Sequence, residues 1–326
     1  MREKVIEKAK DIRKLWSAYW TARPLITGAN LEIFEHLKTK KTAPAAAKKI
    51  KADPRATEIL LDALSGLGYV KKWGKSYRNT KEANLFLVKS SPYYQGDIIR
   101  HADNLWKSWG RLDEVVLTGK PVPRDNKAAF NLEAFILGMH NLAVFKARSV
   151  INAIGMKNVK SAADVGGGPG TYAMEMRKQG AERVTLFDLP DTVEIAKRHI
   201  KKLRVKGIDF LAGDFLKDGL GKGYDLVFMS NIHHANDMEG ARLLTKKAYE
   251  ALNKGGRAVI HEFYMKENRT EPLPGALFSI NMLVNTPGGR CYTEKELKGF
   301  LKQAGFKKIK SKILGDTVLV EGTRRK

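Results

Sequence analysis

A glycine-rich turn between a predicted strand and a predicted helix is the feature that most constrains the fold of this chain. Ser161–Val165 is a short run of small and apolar residues, typical of a buried parallel strand, and Gly166–Gly170 leads from it into a helix predicted to begin near Thr171. Glycines let the backbone approach a ligand with no β-carbon in the way, and amides at a helix start can meet a negative charge. The pattern predicts an α/β fold with a ligand at the carboxyl end of this strand.

The spacing of the glycines bears on whether the ligand is a dinucleotide. Gly166, Gly168 and Gly170 form G-x-G-x-G, whereas the dinucleotide fingerprint requires Gly or Ala at the position of Thr171. An acid, Asp164, also stands two residues before the first glycine. The spacing disfavours a dinucleotide, although three glycines alone are a weak signal.

Acidic residues follow the next two predicted strands. Arg183–Phe187 is followed by Asp188, whose carboxylate can accept both hydroxyls of a ribose. Ile208–Leu211 leads to Asp214 and Phe215, which can accept from an adenine amino group and lie against its ring. Each acid alone is also explained as a helix cap or a surface charge. Together they indicate one site, because ligands bind at the carboxyl ends of such strands.

The chain changes pattern near residue 155, which predicts two domains, 1–155 and 156–326. The first is mostly helical: Thr42 is expected to cap a helix through Ile50, and Asp53 with Pro54 opens a second helix. A hairpin is predicted from residues 69–73 and 75–78, on either side of Gly74. Helix, turn, helix and hairpin are typical of a winged-helix module. In the second domain strands alternate with helices.

The net charge of +24 raises the question of a nucleic-acid partner. Residues 1–150 carry a net +13 and residues 151–326 a net +11, so the excess is spread over the chain as on a solvated surface. The second helix of the winged-helix module also places Glu58 and Asp62 among its polar positions, where they would repel phosphate. A packing or dimer-forming role is favoured, and a nucleic-acid-binding regulator stays as the alternative.

The N-terminal segment bears on partners and location. Leu15, Trp16, Tyr19 and Trp20 form a wide apolar surface that either a partner chain or the same chain is expected to cover.

No apolar run of roughly 18 residues occurs, and the first residues mix charges where a signal peptide needs an apolar stretch. The single cysteine, Cys291, suits a reducing compartment. These features predict a cytoplasmic protein with no membrane segment.

The glycine turn, Asp188 in Phe187–Pro190, Gly213–Phe215 and the segment Asn281–Arg290 resemble the plant caffeate-type and bacterial polyketide-type small-molecule O-methyltransferases. The resemblance covers nearly the whole chain. It implies a Rossmann-like class I methyltransferase domain that binds S-adenosylmethionine (SAM), joined to a winged-helix domain that forms a homodimer. The cofactor contacts that it implies fall at Asp164, Gly166, Gly168, Asp188, Asp214, Phe215 and Ser230, the last in place of a lysine found in many plant members.

The resemblance also implies a general base and its partner. His234 aligns with the base that follows the fourth strand, residues 224–229, and His233 is the rival. Glu262, on the fifth predicted strand, matches a glutamate that can hold the imidazole in one tautomer. Ala235 and Asn236 replace the usual Asp-Trp, and Cys291 stands where plant members have a carboxylate. The surroundings of the imidazole therefore differ from the plant arrangement.

A small aromatic acceptor with a hydroxyl group is the substrate that the resemblance implies. The residues that would face it are Phe135, Met139, Phe278, Met282 and Asn285. Phe135 and Met139 lie four residues apart and are equally explained as helix core. Methyl transfer to nitrogen or carbon is the nearest alternative reaction. No metal is expected, because the polar residues near His233 lack a clear ligand spacing.

Overall fold

The computed structural model describes residues 2–123 and 130–325, which divide into two compact units. The first unit contains the described residues of 1–104 and 131–141, and the second contains those of 105–130 and 142–326. The predicted domain boundary near residue 155 stays a prediction.

The first unit is mostly helical. Its helices are α1 (Arg2–Trp16), α2 (Tyr19–Asn30), α3 (Ile33–His36), α4 (Ala43–Ile50), α5 (Pro54–Gly66), α6 (Lys81–Phe86), most of α7 (Gly96–Trp109) and most of α9 (Leu132–Ala143). Its strands are β1 (Lys41–Thr42), β2 (Val70–Trp73) and β3 (Ser76–Asn79), which form a small antiparallel sheet in the order β1-β3-β2.

The predicted local structure of the first unit is confirmed. The Thr42 side chain accepts from the first turn of α4, and the Asp53 carboxylate accepts from Ala56 N at 2.7 Å to cap α5. The hairpin of β2 and β3 turns at Gly74, whose φ of 57° lies in the left-handed region that favours glycine. Ile33 and Phe34 of α3 pack with apolar side chains of α4, α5 and the hairpin into one core.

The carboxylate of Asp62, on α5, forms hydrogen bonds within the first unit. Its carboxylate accepts from Lys72 Nζ at 2.6 Å and from Tyr77 Oη at 2.7 Å, both on the hairpin. A lysine of the hairpin is thereby paired with a carboxylate of the same unit.

The apolar side chains of the N-terminal segment are exposed on the chain. Leu15 on α1 is 78% exposed and Trp20 on α2 is 62% exposed, and Trp16 and Tyr19 are likewise exposed. The alternative, burial within the same chain, is wrong for this surface, because each of the four side chains is at least half exposed.

The second unit alternates strands with helices, as predicted. Its helices are α8 (Leu112–Thr118), α10 (Ala147–Ile154), α11 (Thr171–Lys178), α12 (Pro190–Lys202), α13 (Met238–Ala251), α14 (Leu273–Asn285) and α15 (Glu294–Gln303). Its strands are β4 (Ser161–Val165), β5 (Arg183–Asp188), β6 (Ile208–Ala212), β7 (Tyr224–Ser230), β8 (Leu252–Phe263), β9 (Lys307–Leu314) and β10 (Thr317–Thr323).

These seven strands of the described chain form one sheet in the order β6-β5-β4-β7-β8-β10-β9. The strands β4 to β8 pair in parallel, and β10 pairs antiparallel with β8 and β9. Both faces of the central strands are buried, because α13 and α15 pack on one face and α10 and α11 on the other. The predicted α/β class is confirmed, and the carboxyl ends of five parallel strands meet along one edge.

Within residues 2–123 and 130–325, no single helix has both the length and the apolar composition needed to cross a membrane. The bent pair of α9 and α10 meets both requirements together, by length and composition alone.

Candidate active site

The glycine loop is folded against the end of the neighbouring strand β5. Gly166 N and Gly167 N donate to the carbonyl of Phe187 at 2.8 and 3.3 Å, and Gly168 N donates to Asp188 Oδ2 at 2.8 Å. Gly166 and Gly168 have φ values of 67° and 53°, which a side chain would strain. A β-carbon on Gly168 would meet no atom within 4 Å, so this part of the loop faces open space. The loop and Asp188 therefore form a single structure with room for a ligand.

Asp164 lies beneath this loop rather than at its surface. Its side chain is 1% exposed, and Oδ2 accepts from Ala173 N in the first turn of α11 at 3.0 Å. Burial raises the pKa of this carboxyl to about 7. The contact ties the end of β4 to the start of α11 on either side of the loop. A direct contact of Asp164 with a cofactor stays a prediction.

The two acids that follow the next strands lie at the same edge of the sheet. Asp188 Oδ1 accepts from Leu189 N at 2.7 Å, and burial raises the pKa of its carboxyl. Asp214 is half-buried, and its Oδ1 accepts from Leu216 N at 3.0 Å. Both carboxylates are thus oriented by backbone amides, as a preformed acceptor site requires.

A lysine that no sequence pattern predicts, Lys247, holds the loop of Phe215. Lys247 Nζ, on α13, donates to the carbonyl of Phe215 at 2.5 Å and to that of Asp218 at 2.8 Å. Phe215 itself is half-buried and packs against the core of the unit. Residues 215 and 247 are far apart in the chain, so no local pattern could have revealed the contact.

The two adjacent histidines after β7 point to different surroundings. They lie on a 3₁₀ turn, His233–Ala235. His233 is fully buried, its Nε2 lies 3.0 Å from Thr245 Oγ1, and its ring stacks on Phe300. Burial lowers the pKa of His233 to about 4. This imidazole is a neutral part of the core, and it is poorly placed to exchange protons with a substrate.

His234 is paired with Glu262 on β8. Its Nδ1 lies 2.6 Å from Glu262 Oε2, and its backbone N donates to Glu262 Oε1 at 3.2 Å. Burial acts to raise the pKa of the Glu262 carboxyl, yet that pKa lies below its usual range because the neighbouring histidines and the hydrogen bonds from His234 favour the carboxylate. An ionised Glu262 keeps the proton of His234 on Nδ1, so Nε2 is free to accept one.

Aromatic side chains lie beside this imidazole. The ring of Phe278, on α14, meets the His234 ring edge-on with centroids 4.8 Å apart, and Phe263 stacks on Phe278 at 4.1 Å. Met282 lies one turn further along α14 and is buried. Asn285 donates to the carbonyl of Asn281 at 2.8 Å on the same helix. Phe278 thus lies next to His234, and Met282 and Asn285 extend along the same helix.

Ser230, at the end of β7, is paired with His261, a histidine that was not among the predicted site residues. Its Oγ lies 2.9 Å from Nδ1 of His261, the residue directly before Glu262. His261 is fully buried, and burial lowers its pKa to about 4. The hydroxyl of Ser230 is therefore oriented by a neutral imidazole.

The remaining predicted residues lie in the first unit. Phe135 and Met139 are on α9 and half-buried, and the Phe135 ring lies 4.8 Å from that of His101. Their role at an acceptor stays a prediction. Among the described residues, no group of three or more His, Cys, Asp or Glu side chains is arranged to hold a metal ion.

Comparison with known proteins identifies the family. Residues 123–307, more than half of the chain, match the O-methyltransferase domain, and residues 14–89 match the O-methyltransferase dimerisation domain. The 3-hydroxy-5-methyl-1-naphthoate 3-O-methyltransferase of Streptomyces sahachiroi is 32% identical over 91% of this chain and 89% of its own. The chain belongs to the O-methyltransferase family.

Solved structures of this methyltransferase family agree with the fold. An O-methyltransferase family protein from Burkholderia thailandensis is 26% identical and superposes with a TM-score of 0.86, covering 97% of this chain and 98% of its own. Human N-acetylserotonin methyltransferase in complex with SAM is 25% identical, with a TM-score of 0.88 and 98% of each chain covered. The family is SAM-dependent, which confirms the predicted class of enzyme and its cofactor. The dimerisation domain supports the predicted homodimer.

Proposed function

We propose that this methyltransferase transfers the methyl group of SAM to a hydroxyl group of a small aromatic molecule, with His234 as the general base. The observation that carries the proposal is the 2.6 Å contact between His234 Nδ1 and Glu262 Oε2 at the edge where the parallel strands end. The naphthoate and acetylserotonin enzymes among its relatives are named for hydroxylated bicyclic aromatic acceptors. The aromatic rings beside His234 suit an acceptor of this class.

The residues around the glycine loop fit the cofactor. We infer that the loop from Gly166 to Gly168 receives its amino-acid end, with Gly168 on the open side, where a β-carbon would meet no protein atom and would face the ligand. Asp188 is assigned to the ribose hydroxyls, and Asp214 and Phe215 to the adenine. Ser230 is assigned to the cofactor side of the site, and Asp164 supports the loop from below. Bound SAM supplies an electrophilic methyl group.

The residues of this chain remove the proton of the acceptor hydroxyl group. A phenol with a reference pKa of about 10 is almost entirely protonated at neutral pH, so a base is needed to make its oxygen a nucleophile. His234 Nε2 accepts this proton as the oxygen attacks. Glu262 fixes the tautomer and stabilises the imidazolium that forms, since its carboxylate lies against Nδ1. Phe278 is assigned to the wall of the acceptor site, with Met282 and Asn285 on the same helix.

The proposal is tested by product analysis with SAM carrying a ¹³C methyl group. The wild-type protein is incubated with hydroxynaphthoates and N-acetylserotonin as acceptor probes, and carbon NMR distinguishes a methyl on oxygen from one on nitrogen or carbon. We expect an O-methyl product. His234→Ala is expected to lower kcat by about 10²–10⁴-fold while SAM still binds. Glu262→Gln is expected to lower kcat by about 10²-fold or more, because its amide favours the other tautomer.

Two results would contradict this proposal. If His234→Ala turns over the acceptor at the wild-type rate, another group removes the proton. If the labelled methyl appears on nitrogen or carbon, the acceptor class is wrong although the enzyme is a methyltransferase. Asn253→Ala is the matched control, because Asn253 donates to Asp225 at 2.8 Å at the opposite end of β7 and is expected to retain full activity.

A further inference from the structure

Asn236 closes the turn that carries His234. Its side-chain Nδ2 donates to the carbonyl of Ile232 at 2.8 Å, and its backbone N donates to the carbonyl of His233 at 3.0 Å. The first hydrogen bond joins the residues on either side of the 3₁₀ turn, and the second joins Asn236 to the first residue of the turn.

The carbonyl of Asn236 is held in turn by Tyr292. Tyr292 Oη donates to Asn236 O at 2.7 Å, and its ring lies edge-on to Phe300 with centroids 5.1 Å apart. Tyr292 is 1% exposed, and burial raises its pKa to about 12, so the hydroxyl keeps its proton and donates. The far end of the turn is thereby attached to the core of the unit.

The backbone between α14 and Tyr292, residues 286–292, packs closely along the turn, and we call it the strap. A β-carbon on Gly289 would collide with the carbonyl oxygen of His234, and one on Gly288 would lie 2.8 Å from Asp237 Cβ. Gly289 N also donates to Thr286 Oγ1 at 2.9 Å, which fixes the strap locally. The strap can touch the turn because it carries glycines at these two positions.

We propose that Asn236, held by Tyr292 and the strap, is a positioning residue that sets the His234 imidazole against Glu262. Among residues 2–123 and 130–325, the imidazole has one hydrogen-bonding partner, Glu262, so its location depends on where the turn places its backbone. Besides the hydrogen bond from His234 N to Glu262, three contacts hold that backbone: the Asn236 amide, the Tyr292 hydroxyl and the strap. A displacement of about 1 Å at a reacting group can cost about 10²-fold in rate. The inference rests on the proposed function of His234, but its test does not require an acceptor.

The test uses the proton on His234 Nδ1, which a short hydrogen bond to a carboxylate shifts strongly downfield in the NMR spectrum. His234→Gln assigns the resonance by removing it. Asn236→Asp keeps the size of the side chain but replaces the amide donor with an acceptor that faces Ile232 O, and Tyr292→Phe removes one hydroxyl. In both variants we expect the resonance to move upfield or to be lost by exchange, while SAM affinity measured by calorimetry is retained. Asn253→Ala is the control in which it stays unchanged.

An unchanged resonance in either folded variant overturns the proposal. Circular dichroism and SAM binding establish that each variant is folded, and Tyr292→Phe decides the question if Asn236→Asp does not fold. The proposed function fails separately: if the resonance responds as expected but His234→Ala still transfers methyl groups at the wild-type rate, Asn236 positions His234 and His234 is not the base.

Discussion

Asp164 is a buried acid that supports the glycine loop, and its burial predicts a dependence of stability on pH. Its pKa in the folded protein is about 7, against an ordinary value of 3.8, so between these values the folded state holds a proton that the unfolded state has lost. The free energy of unfolding contributed by this group therefore falls by about 1.4 kcal/mol per pH unit as the pH rises from about 4 to about 7. Above that range the contribution is constant.

Comparison with Asp164→Asn isolates this contribution. The buried histidines His233 and His261 have pKa values lowered to about 4, and they act in the opposite direction by reducing stability as pH falls from about 6.5. We expect the variant to gain stability relative to the wild type as pH rises from about 4 to about 8, measured by urea unfolding. A difference between the two proteins that does not change with pH would contradict the assignment.

Single residues of the site were predictable where a strand end or a resemblance located them. Asp188 and Asp214 follow strands whose apolar runs are recognisable, so their shared edge could be inferred from topology. The different surroundings of His233 and His234 could not, because neighbouring residues on a tight turn point in directions that only the packed core determines. The Asn236–Tyr292 and Ser230–His261 contacts join positions 56 and 31 residues apart, and no local pattern encodes them.

Alanine substitutions in the glycine loop are expected to have two separable effects, one on stability and one on SAM binding. A β-carbon on Gly166 would collide with the Ile232 side chain, whereas one on Gly168 would enter open space. Both positions have positive φ, so alanine costs about 1 kcal/mol at each. We expect Gly166→Ala to lose a further 1–3 kcal/mol or so of stability from overpacking. Gly168→Ala is expected to weaken SAM binding about tenfold or more, because its methyl group would face the ligand.

Urea unfolding and calorimetric titration with SAM distinguish these effects. Gly299→Ala is a matched control, because Gly299 lies in α15 and a β-carbon there would meet no atom within 4 Å. The assignment of the open side of the loop is wrong if Gly168→Ala binds SAM as tightly as the wild type.

The parallel strands β4 to β7 were predictable as elements because each is a short apolar run followed by a turn or an acid. The extension of β8 back to Leu252 was not predictable, since Asn253, Lys254 and the glycines that follow lack a strand pattern. β8 pairs with β7 at Leu252 and again from Arg257, with an irregularity in the register between them. The antiparallel pair β9 and β10 is likewise stabilised by tertiary pairing. The lysines that alternate along β9 make its sequence resemble a charged surface segment rather than a strand.

The exposed apolar surface of α1 and α2 predicts that the whole molecule self-associates. Leu15, Trp16, Tyr19 and Trp20 are exposed on the single chain, and residues 14–89 match a dimerisation domain. We expect Trp20→Glu to shift the protein from dimer to monomer in sedimentation velocity experiments. Ile313→Glu, at a comparably exposed apolar side chain on the edge strand β9, is expected to remain dimeric. A dimer that survives Trp20→Glu unchanged would place the interface elsewhere.

A calorimetric titration of the wild-type protein and Asp188→Ala with SAM tests whether the glycine loop and Asp188 form the cofactor site. We expect saturable binding to the wild type and a loss of at least about tenfold in affinity for the variant, because Asp188 both orients the glycine loop and is assigned to the ribose hydroxyls. Absence of SAM binding to the wild type, or equal affinity of the two proteins, would contradict this assignment.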